Sequence, residues 1–330
     1  MPNPTPQSIQ PSPPTQPLTL PTTLIILGPT AVGKSALALE IAKRFPAEII
    51  SLDAMQIYRG MDIGTAKPSP AERQRVPHHL IDCQPVDLCS NAAQFLARVA
   101  AAQHDIAMRR RLCLCVGGTA MYIKLLVDGL CDAPPAAPEL RRELYALAAQ
   151  HGSAWLHEHL LKPCDPLSAA RIHPSDLRRI VRAIEVFRLC GQPFSSLQTQ
   201  WSTPPQHPAP PMIGLTMDRS HLYQRINARV DEMIAAGLLD EVRRLRSAGI
   251  ERNPSASHAI GYKELLAHLR GEYSLDLAIT LIKRNTRRFA KHQLTWFRKD
   301  HRIIWFDVEQ YATTAALADA VLARVPITSP

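Results

Sequence analysis

The stretch Gly28-Pro29-Thr30-Ala31-Val32-Gly33-Lys34-Ser35 has the residue types and spacing of a phosphate-binding loop. Its two glycines let the backbone close around an anion with several N–H groups turned inward, and a helix starting at its end adds positive potential. Lys34 would reach the outer phosphates, and the Ser35 hydroxyl would ligand Mg2+. The loop therefore implies a di- or triphosphate without saying which one. Two other positions have the chemistry to work beside it. Asp53, after Glu48-Ile49-Ile50-Ser51-Leu52, can ligand a metal or take a proton from a substrate, and it can equally cap a turn. Gly117-Gly118-Thr119 joins two glycines, which permit close backbone approach, to a hydroxyl. An ordinary ATPase would place an acid after that apolar strand; Val116 is followed by glycines instead, which argues against that class.

Elements must bring these groups together. Apolar runs at 23–27, 48–52, 112–116, 212–217 and 302–307 read as strands, and most are nearly continuous, as parallel strands covered on both faces are. Helical patterns at 35–44, 91–110 and 218–248 lie between them. The expected fold is α/β, a P-loop NTPase-like open parallel sheet with a helical insertion domain, its ligands at the carboxyl ends of the strands. Asp218 can cap the third helix and Gly249 can end it. Between about Ala133 and Pro210, proline-rich edges bracket helices with no convincing strand. The best of these helices has Leu177, Ile180, Val181, Ile184 and Phe187 on one face. The expected division is a Pro-rich disordered tail over 1–20, a catalytic core over 21–132 and 211–310, the insertion over 133–210, and a C-terminal helix or tail over 311–330.

Composition limits the partners. The 330 residues carry 38 Lys and Arg against 29 Asp and Glu, a net charge of +9 that favours a polyanionic partner. The charge is clustered: Lys283, Arg284, Arg287, Arg288, Lys291, Arg298, Lys299 and Arg302 accompany one acid, Asp300, with Trp296 and Phe297 among them. A basic stripe with interleaved aromatics is a nucleic-acid footprint. Hydrophobic content of 46% supports a full core and excludes a disordered protein. No apolar run approaches the ~20 residues that span a bilayer, and Met1 to Leu20 lacks the basic start of a signal peptide. The seven cysteines include no C-x-x-C pair. Cys113 and Cys115 alternate along a strand and would share one buried face, ordinary usage in a reducing cytoplasm. His157 and His159 lack the i, i+4 spacing of a helical zinc pair.

Two arginine pairs fall on helical patterns. Arg178 and Arg182 are one turn apart, either on a solvated face or toward a ligand. Arg225 and Arg229, beside the Leu222/Ile226/Val230 stripe, could clamp phosphate oxygens or pair with Asp231, Glu232 or another carboxylate. Several longer segments accompany the phosphate loop: D-A-M-Q-I-Y-R-G-M-D-I-G-T-A-K-P at 53–68, G-G-T-A-M-Y at 117–122 and D-L-R-R-I-V-R-A-I-E-V at 176–186. Further on are R-I-N-A-R-V-D-E-M at 225–233, A-I-G-Y-K-E at 259–264 and R-R-F-A-K-H-Q-L-T-W-F-R-K at 287–299. With these segments the chain resembles the tRNA dimethylallyltransferase family, also called tRNA isopentenylpyrophosphate transferase. The resemblance covers nearly all of 22–308, and the 53–68 and 287–299 segments are its most specific parts.

The resemblance implies that the loop holds the diphosphate of dimethylallyl diphosphate and not ATP. The dimethylallyl group would pass to N6 of adenosine 37 in tRNA, beside the anticodon, giving N6-isopentenyladenosine and diphosphate. It implies Asp53 as general base with Thr119 at the same rim, and Arg225, then Arg229, as the arginine at the leaving diphosphate. Mg2+ on Ser35 is the implied cofactor. Asp53, Ala54, Met55, Gln56 and Thr119 are implied near a flipped base. Arg178, Arg179, Ile180, Val181 and Arg182 are implied along the RNA, as are His258, Gly261, Tyr262 and Lys263. So are Lys291, His292, Gln293, Trp296 and Arg298, while the insertion would grip the anticodon stem. Departures from the family pattern are Ala54 for Ser, Ala120-Met121 for Gly-Leu, Gln192 for Lys and His292 for Arg; none removes an implied catalytic group. The zinc finger of eukaryotic relatives is absent from this sequence, so a bacterial-type enzyme is expected, a monomer in the cytoplasm with no membrane partner. The rival reading, a P-loop kinase of small molecules or nucleotides, needs neither the 283–302 stripe nor the 53–68 segment. A non-catalytic RNA-binding protein would not need Lys34, Ser35, Asp53 and Thr119 all intact.

Overall fold

Leu24 and Ile26 face one layer of packed side chains and Ile25 and Leu27 the opposite one, the period-2 alternation of a strand buried on both sides. The computed structural model describes residues 23–198 and 209–325; the expected N-terminal tail and the stretch 199–208 lie outside the described residues. The strands are β1 (Thr23–Leu27), β2 (Ala47–Ser51), β3 (His78–His79), β4 (Leu112–Gly117), β5 (Met212–Thr216) and β6 (Ile303–Asp307). They form one sheet in the order β3-β2-β4-β1-β5-β6, and every neighbouring pair is parallel. The five apolar runs all become strands; no apolar run marks the two-residue β3. Cys113 and Cys115 do share one buried face, their sulfurs 3.7 Å apart.

Helices of eight or more residues are α1 (Lys34–Ala42), α2 (Ala92–Met108), α3 (Ala120–Asp128), α4 (Pro138–His151), α5 (Leu177–Cys190), α6 (Arg219–Ala235), α7 (Leu238–Ser247), α8 (Tyr262–Leu269), α9 (Leu275–Phe297) and α10 (Thr314–Arg324). Helix α1 buries Leu37 and Ile41 on the Leu24/Ile26 side of the sheet, while α2 buries Phe95, Val99 and Ile106 on the other. Asn91 caps α2 by accepting from the Gln94 N–H, and Asp218 caps α6 by accepting from Ser220 and His221. The single helix expected over 218–248 is two helices. Gly237 takes φ 95°, a left-handed conformation that ends α6, capped at Ala236, and precedes the start of α7 at Leu238. Gly249, at φ 88°, ends α7.

The 53–68 segment has no regular structure, and buried charges hold it in place. Glu241 of α7 is 2% exposed and accepts from the N–H groups of Asp62, Ile63 and Gly64 at 3.1, 2.7 and 3.2 Å. Its other partner is the Tyr262 hydroxyl at 2.7 Å. Gly64 has to be glycine, because a methyl group there would stand 2.6 Å from the Tyr262 ring. The Lys67 ammonium donates to the Tyr58 carbonyl at 2.6 Å and pairs with Asp62 and Asp82 at 2.7 and 2.6 Å. These contacts replace the ladder bonds that a strand or helix would have supplied.

Residues 128–206 form a separate compact unit. Its described part is helical around Leu144, Leu156, Leu161, Ile180, Val181 and Ile184. At its centre Glu185, fully buried, takes two bonds from Arg141 at 2.8 and 2.9 Å, one from Arg182 at 2.6 Å and one from the Ala137 N–H at 2.8 Å. His157 is structural here, with Nε2 3.0 Å from the carbonyls of Ala169 and Ile172.

Candidate active site

The phosphate loop joins β1 to α1 by backbone conformations few residues adopt. Gly28, Ala31 and Gly33 have φ of 145°, 66° and 110°. A side chain on Gly28 would press against the Leu215 carbonyl at 2.7 Å, so glycine is required there. Left-handed residues separated by ordinary ones turn successive N–H groups toward one concavity, which is an anion nest. The Lys34 ammonium closes the loop by donating to the carbonyls of Gly28 and Pro29 at 3.0 and 2.7 Å. Burial lowers its pKa from 10.5 to about 8; the Asp53 carboxylate opposes that shift and Arg229 adds to it. Ser35 is exposed at the first turn of α1, and its hydroxyl has no partner among the described residues.

Asp53, Gly118 and Thr119 lie at the carboxyl ends of β2 and β4, and β4 lies between β2 and β1. Two strand spacings, about 10 Å, thus separate the ends that carry Asp53 and the loop, with the glycine pair between them. Gly117 permits this packing, because a methyl group there would collide with the Leu52 carbonyl. Asp53 Oδ1 accepts from the Met55 N–H at 2.8 Å and more distantly from that of Gln56, whereas no described donor reaches Oδ2. Burial raises its pKa, while those N–H groups, Lys34 and Lys67 pull it back down. The Thr119 hydroxyl accepts from the Ala54 N–H at 3.1 Å and so ties the two rims together. Met55 stands half-buried beside them. Gln56 is already committed: its Oε1 accepts from Ser51 at 2.8 Å and its Nε2 donates to the Thr65 carbonyl at 3.1 Å.

Arg225 and Arg229 stand on α6, one turn apart, with no hydrogen bond or ion pair to either among the described residues. Asp231, an alternative partner, binds Lys283 at 2.6 Å instead. Arg229 is half-buried, and its pKa is lowered first by burial and then by Arg225. Its charge is the one felt at Lys34, while Arg225 is exposed. Glu232 opposes the lowering at Arg229 and Asp53 acts on Lys34 in the same sense, yet neither carboxylate pairs with these cations, an arrangement that favours an added anion among them.

On α9 and its C-terminal cap the exposed positions include Arg284, Arg288, Lys291, His292, Trp296 and Arg298, a basic face with Phe289 and Trp296 42% and 40% exposed. Lys283, Arg287 and Arg302 of the same stripe are engaged internally, with Asp231, Asn227 and Asp300. His258 and Lys263 are exposed as well. Several residues implied along RNA are placed otherwise. Tyr262 is 1% exposed and bound to Glu241, and Gly261 is buried at φ 94° with its N–H donating to Glu264 at 2.8 Å. Ile180 and Val181 are buried in the helical unit, so their side chains are closed to any partner. Arg178 and Arg179 are exposed there, but Arg182 is held by Glu185 and the Pro134 carbonyl at 2.6 and 2.8 Å. Gln293 is 5% exposed, with both ends of its amide bonded inside the site at Thr30 and Gly118. Its burial had a signal in the sequence: Ala290, Gln293 and Phe297 recur at helical spacing. Glu241 and Lys67 gave no comparable signal.

A phosphate loop between β1 and α1, with a carboxylate at the neighbouring strand ends of an open parallel sheet, marks a P-loop-like α/β fold. The model of the IPP transferase family matches residues 56–300, beginning just after Asp53. The tRNA dimethylallyltransferase of Geobacter metallireducens is 49% identical over 284 residues, 86% of this chain and 92% of that protein. That of Symbiobacterium thermophilum is 50% identical over 289 residues, 86% and 89%. The solved tRNA isopentenylpyrophosphate transferase of Bacillus halodurans superposes with a TM-score of 0.66 at 38% identity, over 92% of this chain and 97% of that one. A eukaryotic dimethylallyltransferase acting on tRNA gives 0.74 at 26% identity, over 93% and 80%. The chain belongs to the IPP transferase family, and it is a transferase. No helix among the described residues is long and apolar enough to cross a membrane.

Proposed function

We propose that this chain transfers the dimethylallyl group of dimethylallyl diphosphate to N6 of adenosine 37 in tRNA, as the names of its relatives suggest. The observation that carries this reading is the unpartnered Oδ2 of Asp53, set across the Gly118–Thr119 rim from the anion nest. The loop N–H groups, Lys34 and Arg229 hold the diphosphate, with Arg225 at its outer edge. N6 attacks the allylic carbon, a C–N bond forms and the C–O bond breaks, and its electron pair leaves on the diphosphate oxygen. The N6 proton passes to Asp53 Oδ2, a real requirement because an adenine amino group is barely basic. Cations already in place when the negative charge develops stabilise the transition state without rearrangement.

Mg2+ would be held from the protein side by the exposed Ser35 hydroxyl, which has no partner among the described residues; no cluster of described His, Cys, Asp or Glu side chains would hold it alone. When bound, Mg2+ would neutralise charge on the leaving diphosphate. The exposed face of α9, with His258 and Lys263, takes the RNA backbone, and Trp296 offers a stacking surface. Every group named belongs to one chain, so a monomer suffices, working in the cytoplasm. The test offers the purified protein and an anticodon stem-loop either labelled dimethylallyl diphosphate or labelled ATP. Label is expected in RNA from the prenyl donor alone, with Mg2+; label entering only from ATP sinks the assignment.

A further inference from the structure

Helix α9, whose exposed face carries basic residues, also carries one buried amide. Gln293 Oε1 accepts from the Thr30 N–H at 2.9 Å, and its Nε2 donates to the Gly118 carbonyl at 2.8 Å. The first partner is inside the phosphate loop and the second is at the end of β4. From that end the chain of bonds continues through Thr119 to the Ala54 N–H at 3.1 Å, next to Asp53. Gly118 leaves room for this arrangement, because a methyl group there would collide with Gln293 Nε2. The Thr30 N–H, used by Gln293, is not available to an anion. Its role is to let a helix from elsewhere in the chain dictate where the loop sits.

We propose that Gln293 is a positioning residue for the transfer step: it fixes the separation between the phosphate loop and the β4 rim, and through Thr119 the placement of Asp53. The inference rests on the prenyl-transfer reading above. A structural glutamine could join any two segments. This one joins the segment that holds the leaving group to the segment beside the proton acceptor. Reaction rates are sensitive to such placement, and a shift of about 1 Å in a reacting pair costs about 100-fold. RNA affinity depends instead on the outer face of α9, which Gln293 does not reach.

The unaltered chain, Gln293→Ala, Gly118→Ala and the double variant are compared for prenyl transfer at saturating substrates and for stem-loop affinity. Each single variant is expected to lower kcat by about 10- to 100-fold and to leave the stem-loop Kd within about twofold. The double variant is expected to be no slower than Gln293→Ala, because the new methyl group then no longer collides with the Gln293 amide and its remaining neighbour, the Gly28 carbonyl at 3.3 Å, has to give only slightly. A kcat near the unaltered value in Gln293→Ala overturns the proposal. So does a Kd that rises in step with the loss of kcat, which would make Gln293 an RNA contact, and so do losses that multiply in the double variant. Should Gln293→Ala fail to fold, Gln293→Glu keeps the size and the acceptor for Thr30 but lacks the donor to Gly118, and it is held to the same expectations. An unaltered chain that takes nothing from dimethylallyl diphosphate overturns the functional reading itself, before any variant is compared.

Discussion

The two oxygens of Asp53 are engaged differently, Oδ1 by the turn at Met55 and Oδ2 by no described donor. Burial holds this carboxyl above its ordinary range, which makes it a stronger acceptor for the N6 proton. Asp53→Asn keeps an oxygen for the turn and removes the base. It is expected to lower kcat by about 100- to 10,000-fold while RNA affinity, read by titration, stays the same; equal loss of both would assign Asp53 to the turn alone. The pH profile follows from the same pair of groups. Asp53 must be ionised, so activity rises with pH through its raised pKa. Lys34 must be protonated to meet the diphosphate, so kcat/KM for dimethylallyl diphosphate falls as pH rises past about 8. A bound diphosphate favours the charged ammonium and raises that pKa, so kcat at saturation should fall only at higher pH. Identical alkaline limbs in the two profiles would remove Lys34 from this role.

At the scale of elements, much of the frame was legible because parallel strands buried on both faces are written as unbroken apolar runs. The break at Gly237 was legible in principle, since a glycine after the helical pattern of α6 is a stop signal. Other features depend on partners far away in sequence. Gln293 lies 263 residues from Thr30 and 175 from Gly118, and Glu241 lies 179 from Asp62. No local spacing announces such pairs. Tyr262 and Gln293, within segments implied along RNA, face inward for a local reason: adjacent positions on a helix point to different sides, and the spacing of Gln293 with Ala290 and Phe297 marks the buried side. The outward side of α9 makes its own prediction. Lys291→Ala combined with Arg298→Ala should reduce the slope of log Kd for tRNA against log salt by about 2, if each side chain neutralises one phosphate. An unchanged slope would take this face out of RNA binding.

At the scale of the whole molecule, two compact units need separate accounts of stability. In the 128–206 unit Glu185 is the buried anion on which Arg141 and Arg182 converge. Glu185→Ala leaves both arginines without their carboxylate. The expected cost is about 2–4 kcal/mol, toward the low end because both arginines keep some contact with water. Calorimetry should record a lower melting temperature for that unit, with diphosphate binding by the other unit retained at lower temperature; an unmoved thermogram would contradict it. The clamp at Asp62–Gly64 has a consequence of a different kind. There, three successive N–H groups already surround an anion, but it is the chain's own carboxylate, Glu241, which cannot diffuse away. The segment beside Asp53 is thus preorganised: the entropy of ordering it is lost once, when the chain folds, and not again at each encounter with RNA.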